Sequence, residues 1–377
     1  METLMGRKEL NKRVGIMTFP NSTSHGAVLQ MYALSRAVEE LGCQAEVINY
    51  FNSHMKGEKH KESRMTSGRW KGWVRLQARK LMHAEMYRKF RRFEENLRLY
   101  PRKSFSNREK LKILNGRYSH VICGSDQVWN PNITNSDLNY FLRFCGEDTR
   151  RVAYAPSFGV DRLEAAFAEQ VEAELRKFSA LSVREAQGAA IVEQMLGVPV
   201  PTVVDPTFLV PVEHWRSLQK PCNIPEKGYV LYYSLRHSDA LWRFCKELAA
   251  QKNLPIVVVG GNPLKKLRAG KNGIQYAMDT GPREWLYLVD HASWVVTNSF
   301  HGVAFSINFR KNFFVEFSSR TNSRLQHIIT VLGLSDRRIR EGVCANWEET
   351  DYSVTDAVLP KFREESRNYL EKALMEE

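Results

Sequence analysis

Short apolar runs alternate along the chain with longer segments whose apolar residues recur every three or four positions. The first apolar run, 14-VGIMTF, is followed by the polar turn 20-PNSTSHG and by an amphipathic segment over 27–42. The three- and four-residue spacing predicts a helix, and Gly42 is placed to end it. The apolar run 45-AEVINY comes next, and a strand, a helix and a strand in this order form the unit of a parallel sheet.

The same alternation recurs through the rest of the chain and predicts a second α/β unit. Further strands are predicted at 118-YSHVICGSD, 151-RVAYAPSFG, 180-ALSVRE, 202-TVVDPTFLV, 229-YVLYYSL, 255-PIVVVGG and 294-WVVTNS. Further helices are predicted at 164–178, 186–197, 239–251, 282–292, from 301 onward and at 355–373.

These elements divide into two lobes, because a chain of 377 residues is too long for one ordinary core. An N-terminal Rossmann-like lobe is predicted over 13–210 and a C-terminal Rossmann-like lobe over 228–354. A proline-containing, polar segment at 211–227 is the predicted linker. The charged tail, 355–377, is predicted to form a helix that packs back on the first lobe. The predicted fold class is therefore α/β.

Positive charge is concentrated in one segment of the first lobe. The chain has a formal net charge of +13, and residues 51–112 alone hold 19 Lys and Arg against 6 Asp and Glu. Apolar residues recur through this segment, so a basic helical insertion is predicted over about 51–115. The first interpretation of this charge is a solvated helical surface. The second is contact of residues 51–112 with an anionic membrane. Nucleic acid is not an expected partner.

Cysteine usage and the apolar runs indicate the compartment. The six cysteines form no CxxC pair and no Cys/His spacing suited to zinc. The first residues are polar and charged, and the apolar runs are strand-sized, so neither an export signal nor a membrane span is predicted. We expect a cytoplasmic protein with reduced thiols and no metal site, which becomes peripheral at the inner face of the membrane if the insertion docks there.

Polar residues follow several predicted strands, which is where open α/β sheets bind ligands. In 298-NSFHG, His301 and Gly302 follow an apolar strand and begin a helix. Free N–H groups and the helix dipole favour a phosphate or carboxylate there, and His301 can add a hydrogen bond, a positive charge or a proton. A histidine that only caps the helix is the alternative. The loop 21-NSTSHG lacks both GxGxxG and a Walker lysine, so neither a dinucleotide site nor a P-loop is predicted.

Charged residues at two other strand ends are further candidates. Arg184, in 182-SVRE, presents a planar fork suited to phosphate or carboxylate, or it pairs with an acid such as Glu185. Asp126, in GSDQ, can orient a sugar hydroxyl or act as a base, or it caps a turn. Asp205 is interpreted as structural.

Together these elements resemble the polysaccharide pyruvyl transferase family from about Val14 to Arg337. The matching blocks are 14-VGIMTF, 26-GAVLQMYAL, 122-ICGSDQVWNP, 153-AYAPSFG, 182-SVRE, 204-VDPTFL, 297-TNSFHGVAFSI and 332-LGLSDR. Their order and spacing carry the resemblance, above all GSDQVWNP with a later SFHG. The resemblance implies a fold like that of the two-domain GT-B glycosyltransferases, an active site between the lobes, and phosphoenolpyruvate as donor.

The resemblance also implies site residues. Relatives bind the donor with an arginine and a histidine at the places of Arg184 and His301, and an aspartate of the first lobe is implicated, for which Asp126 is the best match. Some relatives have an arginine two residues before that histidine, where this chain has Ser299. The anion contact that this arginine makes in those relatives has no assigned residue in this chain. Three arginines are candidates for it: Arg236, Arg320 and Arg324. Donor binding is predicted at Ser299, Phe300, Gly302, Arg184 and His301. Acceptor or additional anion contacts are predicted at Asn21, His25, Gly26, Ser125, Gln127 and Arg236.

The implied reaction moves a pyruvyl group from phosphoenolpyruvate to two hydroxyls of a sugar in a polysaccharide or its lipid-linked precursor, as a ketal. Ketal formation needs a proton on the methylene carbon and a sugar hydroxyl on the central carbon, hence an acid and a base. We expect protonated His301 to supply the proton or stabilise the leaving phosphate, Arg184 to clamp the donor, and Asp126 to help activate the hydroxyl. No cofactor or metal is required. The alternative that the fold permits is a GT-B glycosyltransferase using a nucleotide sugar.

Overall fold

The computed structural model describes residues 12–52, 83–106, 108–260, 273–317, 322–344 and 346–375. The central part of the predicted basic insertion, 53–82, therefore lies outside the described residues. So do residues 261–272 and Arg320.

A parallel sheet forms the centre of each half of the chain. The N-terminal sheet contains β1 (Arg13–Met17), β2 (Gln44–Tyr50), β3 (Leu99–Phe105), β4 (His120–Gly124) and β5 (Arg150–Tyr154), in the order β3-β2-β1-β4-β5. The C-terminal sheet contains β6 (Val230–Tyr233), β7 (Ile256–Val259), β8 (Ile274–Ala277), β9 (Trp294–Thr297), β10 (Asn312–Glu316) and β11 (Arg338–Ile339), in the order β11-β10-β9-β6-β7-β8. In each sheet the strand order changes direction beside the first strand of the lobe, between β1 and β4 in one sheet and between β6 and β9 in the other. Doubly wound nucleotide-binding folds have the same arrangement. The two predicted Rossmann-like lobes are thereby confirmed.

Helices connect the strands and cover the sheets. They are α1 (His25–Glu40), α2 (Ala84–Glu94), α3 (Pro131–Thr134), α4 (Ala165–Leu175), α5 (Ala186–Leu196), α6 (Val212–Ser217), α7 (Asp239–Gln251), α8 (Pro282–Asp290), α9 (Phe300–Asn308), α10 (Ser323–Val331) and α11 (Ser353–Met375). Short 3₁₀ turns span Arg108–Leu114, Leu138–Phe141, Pro206–Phe208 and Ser335–Arg337. Because helices lie on both faces, β4, β6, β7 and β9 are buried at every position, which explains their uninterrupted apolar sequences.

The prediction of a helical insertion over about 51–115 is wrong in its last third. Residues Leu99–Phe105 form the edge strand β3, which pairs in parallel with β2: Leu99 is opposite Val47, and Tyr100 is opposite Ile48. Basic residues between the apolar ones suit an edge strand, because one side of such a strand faces solvent. In the described part of the insertion, helix is limited to α2 and the 3₁₀ turn that follows β3.

The strands predicted at 180–185 and 202–210 are also wrong. Each segment makes isolated bridges instead of a ladder, between Val152 and Ala180 and between Val183 and Thr202. Proline explains why the pairing stops, because Pro201 and Pro206 have no N–H to donate. After Pro206 the chain turns into the 3₁₀ segment and leaves the sheet.

A continuous apolar core joins the lobes. Helix α1 of the first lobe contacts α8 and α9 of the second. Between them Trp215, on the connecting helix α6, meets Phe305 of α9 at 5.0 Å between ring centroids, and Trp285 of α8 meets the same ring at 5.2 Å. This packing fixes how closely the carboxyl ends of the two sheets approach each other.

The last helix, α11, returns to the first lobe. The Tyr369 hydroxyl donates to the carbonyl oxygen of Ala153 (2.9 Å), and the Ser366 hydroxyl accepts from the backbone N–H of Val204 (2.9 Å). Arg367 pairs with Glu40 at the end of α1 (2.8 Å). None of the helices in the described ranges is long and apolar enough to cross a membrane.

Candidate functional site

The candidate site lies where the two sheets reverse their strand order. In the first lobe this point is between the ends of β1 and β4, and in the second lobe it is between the ends of β6 and β9. Loops separate there and helices begin, so ligands bind in such crevices. His301, just after β9, sits beside Gly26 of the first lobe: a Cβ at Gly26 would lie 2.2 Å from the His301 Nδ1. The two crevices therefore meet in one place.

The turn that presents His301 is tightly held. Ser299 is the N-cap of α9 and accepts from the backbone N–H of Gly302 (3.3 Å), while its own N–H donates to the Thr297 hydroxyl (3.0 Å). The Asn298 side chain accepts from Leu235 N–H (2.8 Å) and donates to the Ser234 hydroxyl (2.9 Å), which ties the loop after β9 to the loop after β6. The N–H groups of Ser299 and Gly302 are thus already bonded, and His301 is the polar side chain that this turn directs between the lobes.

Asp205 joins the two predicted cationic residues. Its Oδ2 accepts from Arg184 Nη1 at 2.8 Å and lies 3.7 Å from His301 Nε2, which is an ion-pair distance too long for a hydrogen bond. The same oxygen accepts from the Ser125 hydroxyl (2.9 Å), and the other accepts from the N–H and hydroxyl of Thr207 (3.0 and 2.7 Å). Asp205 therefore has the structural role expected for it, capping the turn, and also binds the site's cations together.

The electrostatics of Asp205 favour the ionised form. Burial alone would raise its pKa, but the imidazole of His301, the guanidinium of Arg184 and the hydrogen bond from Thr207 outweigh burial and hold the pKa of Asp205 well below its usual range. A fixed negative charge at this position holds the Arg184 guanidinium and the His301 ring close together.

Several buried nitrogen atoms around Asp205 have no hydrogen-bond partner among the described residues. They are Arg184 Nε and Nη2 and His301 Nε2. Arg184 is 3% exposed and His301 is 7% exposed, so water does not cover these groups as it covers a surface side chain. An unpartnered buried donor is costly, and such groups mark a place where a further acceptor fits. The Arg184 guanidinium also lies over the Phe300 ring, with Cζ 4.5 Å from the centroid.

Two more carboxylates lie beside Arg184. Asp126 Oδ1 is 3.9 Å from Arg184 Nη2 and accepts from the N–H of Gln127 (2.9 Å). Ser125 and Asp126 both have a positive φ, of 37° and 66°, a strained conformation that turns the chain sharply after β4. Glu185 is buried, accepts from the Ser157 hydroxyl (2.7 Å), and has its other oxygen 4.0 Å from Arg184 Nε. Burial raises the pKa of Glu185, although Arg184 and Ser157 oppose the shift.

The other predicted contacts are distributed around this centre. Asn21 is bonded to Glu94 and Asn49, and the Gln127 side chain to Asn130. His25 faces the second lobe, where its Nε2 lies 3.0 Å from the carbonyl oxygen of Thr280 and its ring stacks on Trp285. The Arg236 side chain is exposed, and its carbonyl oxygen accepts from Asn298.

Sequence reasoning missed three residues near the centre. Asp205 is interpreted from sequence as purely structural, Glu185 enters only as a pairing partner for Arg184, and Arg324 stands as one of three alternatives. The motif 204-VDPTFL does carry a signal for Asp205, because a capping aspartate there follows an apolar run just as Asp126 does. In the described parts of the chain, no group of three or more His, Cys, Asp or Glu side chains is arranged to hold a metal ion.

The comparisons with known proteins agree on a family and on a fold. The family model described as polysaccharide pyruvyl transferase matches residues 25–315. Among curated proteins, none matches the chain. A protein from Listeria monocytogenes described as a UDP-N-acetylglucosamine 2-epimerase is similar in structure, with a TM-score of 0.55, 9% identity, and coverage of 96% of this chain and 91% of that one. The UDP-GlcNAc 2-epimerase of Methanocaldococcus jannaschii has a TM-score of 0.47 at 12% identity, covering 97% and 93% of the two chains. The first of these likenesses establishes the two-lobed, GT-B-like fold.

Proposed function

Because the chain belongs to the polysaccharide pyruvyl transferase family, we propose that it transfers a pyruvyl group from phosphoenolpyruvate to two hydroxyls of a sugar. The product is a pyruvate ketal on a polysaccharide or on its lipid-linked precursor. The donor is a small molecule with a carboxylate and a phosphate, so its site needs cations and N–H donors more than an apolar pocket.

One observation carries the proposal: Arg184 and His301 present buried side-chain nitrogens at one point between the lobes, and none of these nitrogens has a hydrogen-bond partner in the part of the chain that the structure describes. Arg184 comes from the first lobe and His301 from the second, and Asp205 holds them together. A compact anion that accepts from Arg184 Nε and Nη2 and from His301 Nε2 would remove the cost of these unsatisfied groups.

The roles follow from the chemistry of ketal formation. A sugar hydroxyl adds to the central carbon of phosphoenolpyruvate while a proton is added to its methylene carbon, and a second hydroxyl of the sugar then displaces phosphate. His301, next to the carboxylate of Asp205, is suited to carry the positive charge that donates this proton or stabilises the leaving phosphate. Arg184 clamps the donor, and Asp126, at the edge of the cluster and less buried, helps to deprotonate the acceptor hydroxyl. No step requires a metal or an organic cofactor.

The direct test is consumption of phosphoenolpyruvate. Purified protein with phosphoenolpyruvate and candidate sugars is expected to release inorganic phosphate and to yield a sugar heavier by the pyruvylidene group in mass spectrometry. Arg184→Gln and His301→Gln should each lower kcat/KM by at least about 100-fold, since each removes a charged contact or the proton donor. Arg176→Gln is the matched control, because Arg176 is exposed and pairs with Glu172 on α4 outside the site.

The same assay with nucleotide sugars as donors tests the alternative glycosyltransferase function. If the protein turned over UDP-sugars and left phosphoenolpyruvate untouched, the alternative glycosyltransferase function would replace the present proposal. Wild-type turnover in both Arg184→Gln and His301→Gln would also refute the site, whatever the donor.

A further inference from the structure

A third arginine reaches the site from the second lobe. Arg324 is in the first turn of α10, and α10 packs against both α5, which follows Arg184, and α9, which carries His301. The Arg324 Cζ is 5.9 Å from the centroid of Phe300, the same ring that the Arg184 Cζ approaches to 4.5 Å. Two guanidinium groups from opposite lobes therefore share one aromatic ring.

Arg324 is a partly buried arginine that has no counter-ion within the described residues. By contrast, Arg117 pairs with Glu46 at 2.8 Å, and the buried Arg151 pairs with Glu174 at 3.1 Å. Within the described residues, Arg324 makes neither a hydrogen bond nor an ion pair, and its Nε is buried without a partner. A positive charge held in this way is costly unless an acceptor joins it.

The charges around Arg324 are those of the candidate site. Burial and the positive charge of Arg184 lower the pKa of Arg324 to about 10, against the opposing effect of Asp126, Glu185 and Asp205. The side chain remains protonated at neutral pH. It thus adds positive charge to the crevice close to Arg184.

We propose that Arg324 binds one of the two anionic groups of the donor, while Arg184 and His301 bind the other. This inference rests on the proposed function and deepens it by assigning two anion positions in the crevice, one at Arg324 and the other at Arg184 and His301. The carboxylate and the phosphate of phosphoenolpyruvate are attached to the same carbon, so one molecule can reach both positions. A donor held by Arg184 of one lobe and Arg324 of the other also helps to hold the two lobes together.

Arg324 lies beyond residues 25–315, the range that the family model matches. This chain has Ser299 two residues before His301, and the Ser299 hydroxyl is used as the cap of α9. Arg324 thus supplies from another helix a cation that this turn lacks.

The test compares Arg324→Gln and Arg324→Lys with Arg338→Gln. Arg338 is a matched control, because its Cζ also lies over an aromatic ring, Phe317 at 4.1 Å, its Nε is also buried without a partner, and it donates to Gln326 of α10. Loss of a charged hydrogen bond should raise the KM for phosphoenolpyruvate roughly tenfold to a hundredfold in Arg324→Gln, with kcat changed only a few-fold. Arg324→Lys should give a smaller rise, because lysine keeps the charge and loses the fork. Arg338→Gln should match the wild type.

Binding measurements separate the two anion positions. In isothermal titration, Arg324→Gln should lose more affinity for phosphoenolpyruvate than for inorganic phosphate, which has one anionic group and is expected at the Arg184 position. Equal loss for both ligands, or wild-type KM in Arg324→Gln, would overturn the inference while leaving the proposed function in place. If the wild-type protein neither binds nor consumes phosphoenolpyruvate, the proposed function itself fails. Should Arg324→Gln not fold, the Arg324→Lys variant decides by the same readouts.

Discussion

Gly26 is the point at which the first lobe touches the imidazole of the second. A Cβ there would lie 2.2 Å from His301 Nδ1 and 2.6 Å from His301 Cβ, and real Cβ atoms do not approach so closely. The absence of a side chain is therefore what allows His301 to stand against α1.

Gly26→Ala is expected to move His301 and to reduce turnover. A displacement of about 1 Å in a reacting group can cost roughly 100-fold in rate, and forced packing costs ~1–3 kcal/mol of stability. The measurements are kcat/KM for phosphoenolpyruvate and Tm. Gly188→Ala is the control, because a Cβ at Gly188 meets Val183 at 3.4 Å, an ordinary contact, and alanine suits the helix α5. An equal loss of activity in both variants would show that the effect is not specific to His301.

Three side chains identified from sequence do come together in the structure. Asp126 and His301 follow β4 and β9, and parallel strands of an open sheet end at the same edge, so the rule that selects them is a rule of topology. Arg184 follows a predicted strand that the structure replaces with isolated bridges, and its Nη2 still lies 3.9 Å from Asp126. Asp205 could be recognised from sequence as a capping residue but not as the partner of Arg184 and His301, and Arg324 only as one of three alternatives. The position of Asp205 depends on how the chain turns at Pro206, and that of Arg324 on how α10 lies against the first lobe. Both are set by contacts between residues far apart in the chain.

At the scale of elements, helix propensity and burial compete in the basic segment. Residues 99–105 have the charge of a solvated helix and yet form a strand. The reason is that β2 offers an unpaired edge, with which Leu99 and Tyr100 pair. Tertiary pairing of this kind leaves little trace in a single sequence. The long helices α7 and α11, by contrast, follow the predicted periodicity closely, since each buries one stripe, whereas α1 is buried on nearly every side.

The described helix of the basic segment, α2, has two faces with different uses. Phe90 and Phe93 are buried, and Lys89 reaches the second lobe, where it donates to the carbonyl oxygen of Asp279 (2.8 Å) and pairs with Glu284 (3.2 Å). Arg91 and Arg92 are exposed. Lys89 is therefore part of the lobe interface, whereas Arg91 and Arg92, like the exposed Arg88 that pairs with Glu85, face outward and are available to an external surface.

Arg91→Gln combined with Arg92→Gln tests the predicted membrane contact. Each basic residue near an anionic surface contributes ~1 kcal/mol, so the pair should weaken binding to phosphatidylserine-containing vesicles by roughly 25-fold. Turnover of a soluble acceptor should stay at the wild-type level. Arg243→Gln combined with Lys246→Gln removes two exposed cations from α7 of the other lobe and serves as the charge-matched control. If the two double variants bind vesicles equally, α2 is not the docking surface.

At the scale of the whole molecule, the lobes are joined by an interface that contains a buried histidine. His25 lies at the start of α1, with its Nε2 3.0 Å from the carbonyl oxygen of Thr280 and its ring 5.6 Å from Trp285, 5.0 Å from Phe90 and 5.9 Å from Tyr233. Burial outweighs the bond to Thr280 and lowers the pKa of His25 to about 4 from an ordinary value of 6.5. The neutral imidazole is therefore part of the lobe interface, and sequence alone, which predicted a ligand contact at His25, could not reveal the aromatic rings packed around it.

Acid should weaken this interface in a defined window. The unfolded chain protonates His25 as the pH falls through 6.5, but the folded protein resists protonation until about pH 4. The stabilisation is thus complete above pH 6.5, is lost progressively between pH 6.5 and 4, and amounts to on the order of 3 kcal/mol for this group. His25→Gln can still donate to Thr280 and does not titrate. It should be less stable than the wild type at pH 7, because the stacked ring is lost, yet its free energy of unfolding in urea should fall less steeply between pH 6.5 and 4. His237→Gln, at a histidine whose side chain is 71% exposed, should keep the wild-type slope. If His25→Gln keeps that slope as well, the acid sensitivity of the closed lobes arises elsewhere.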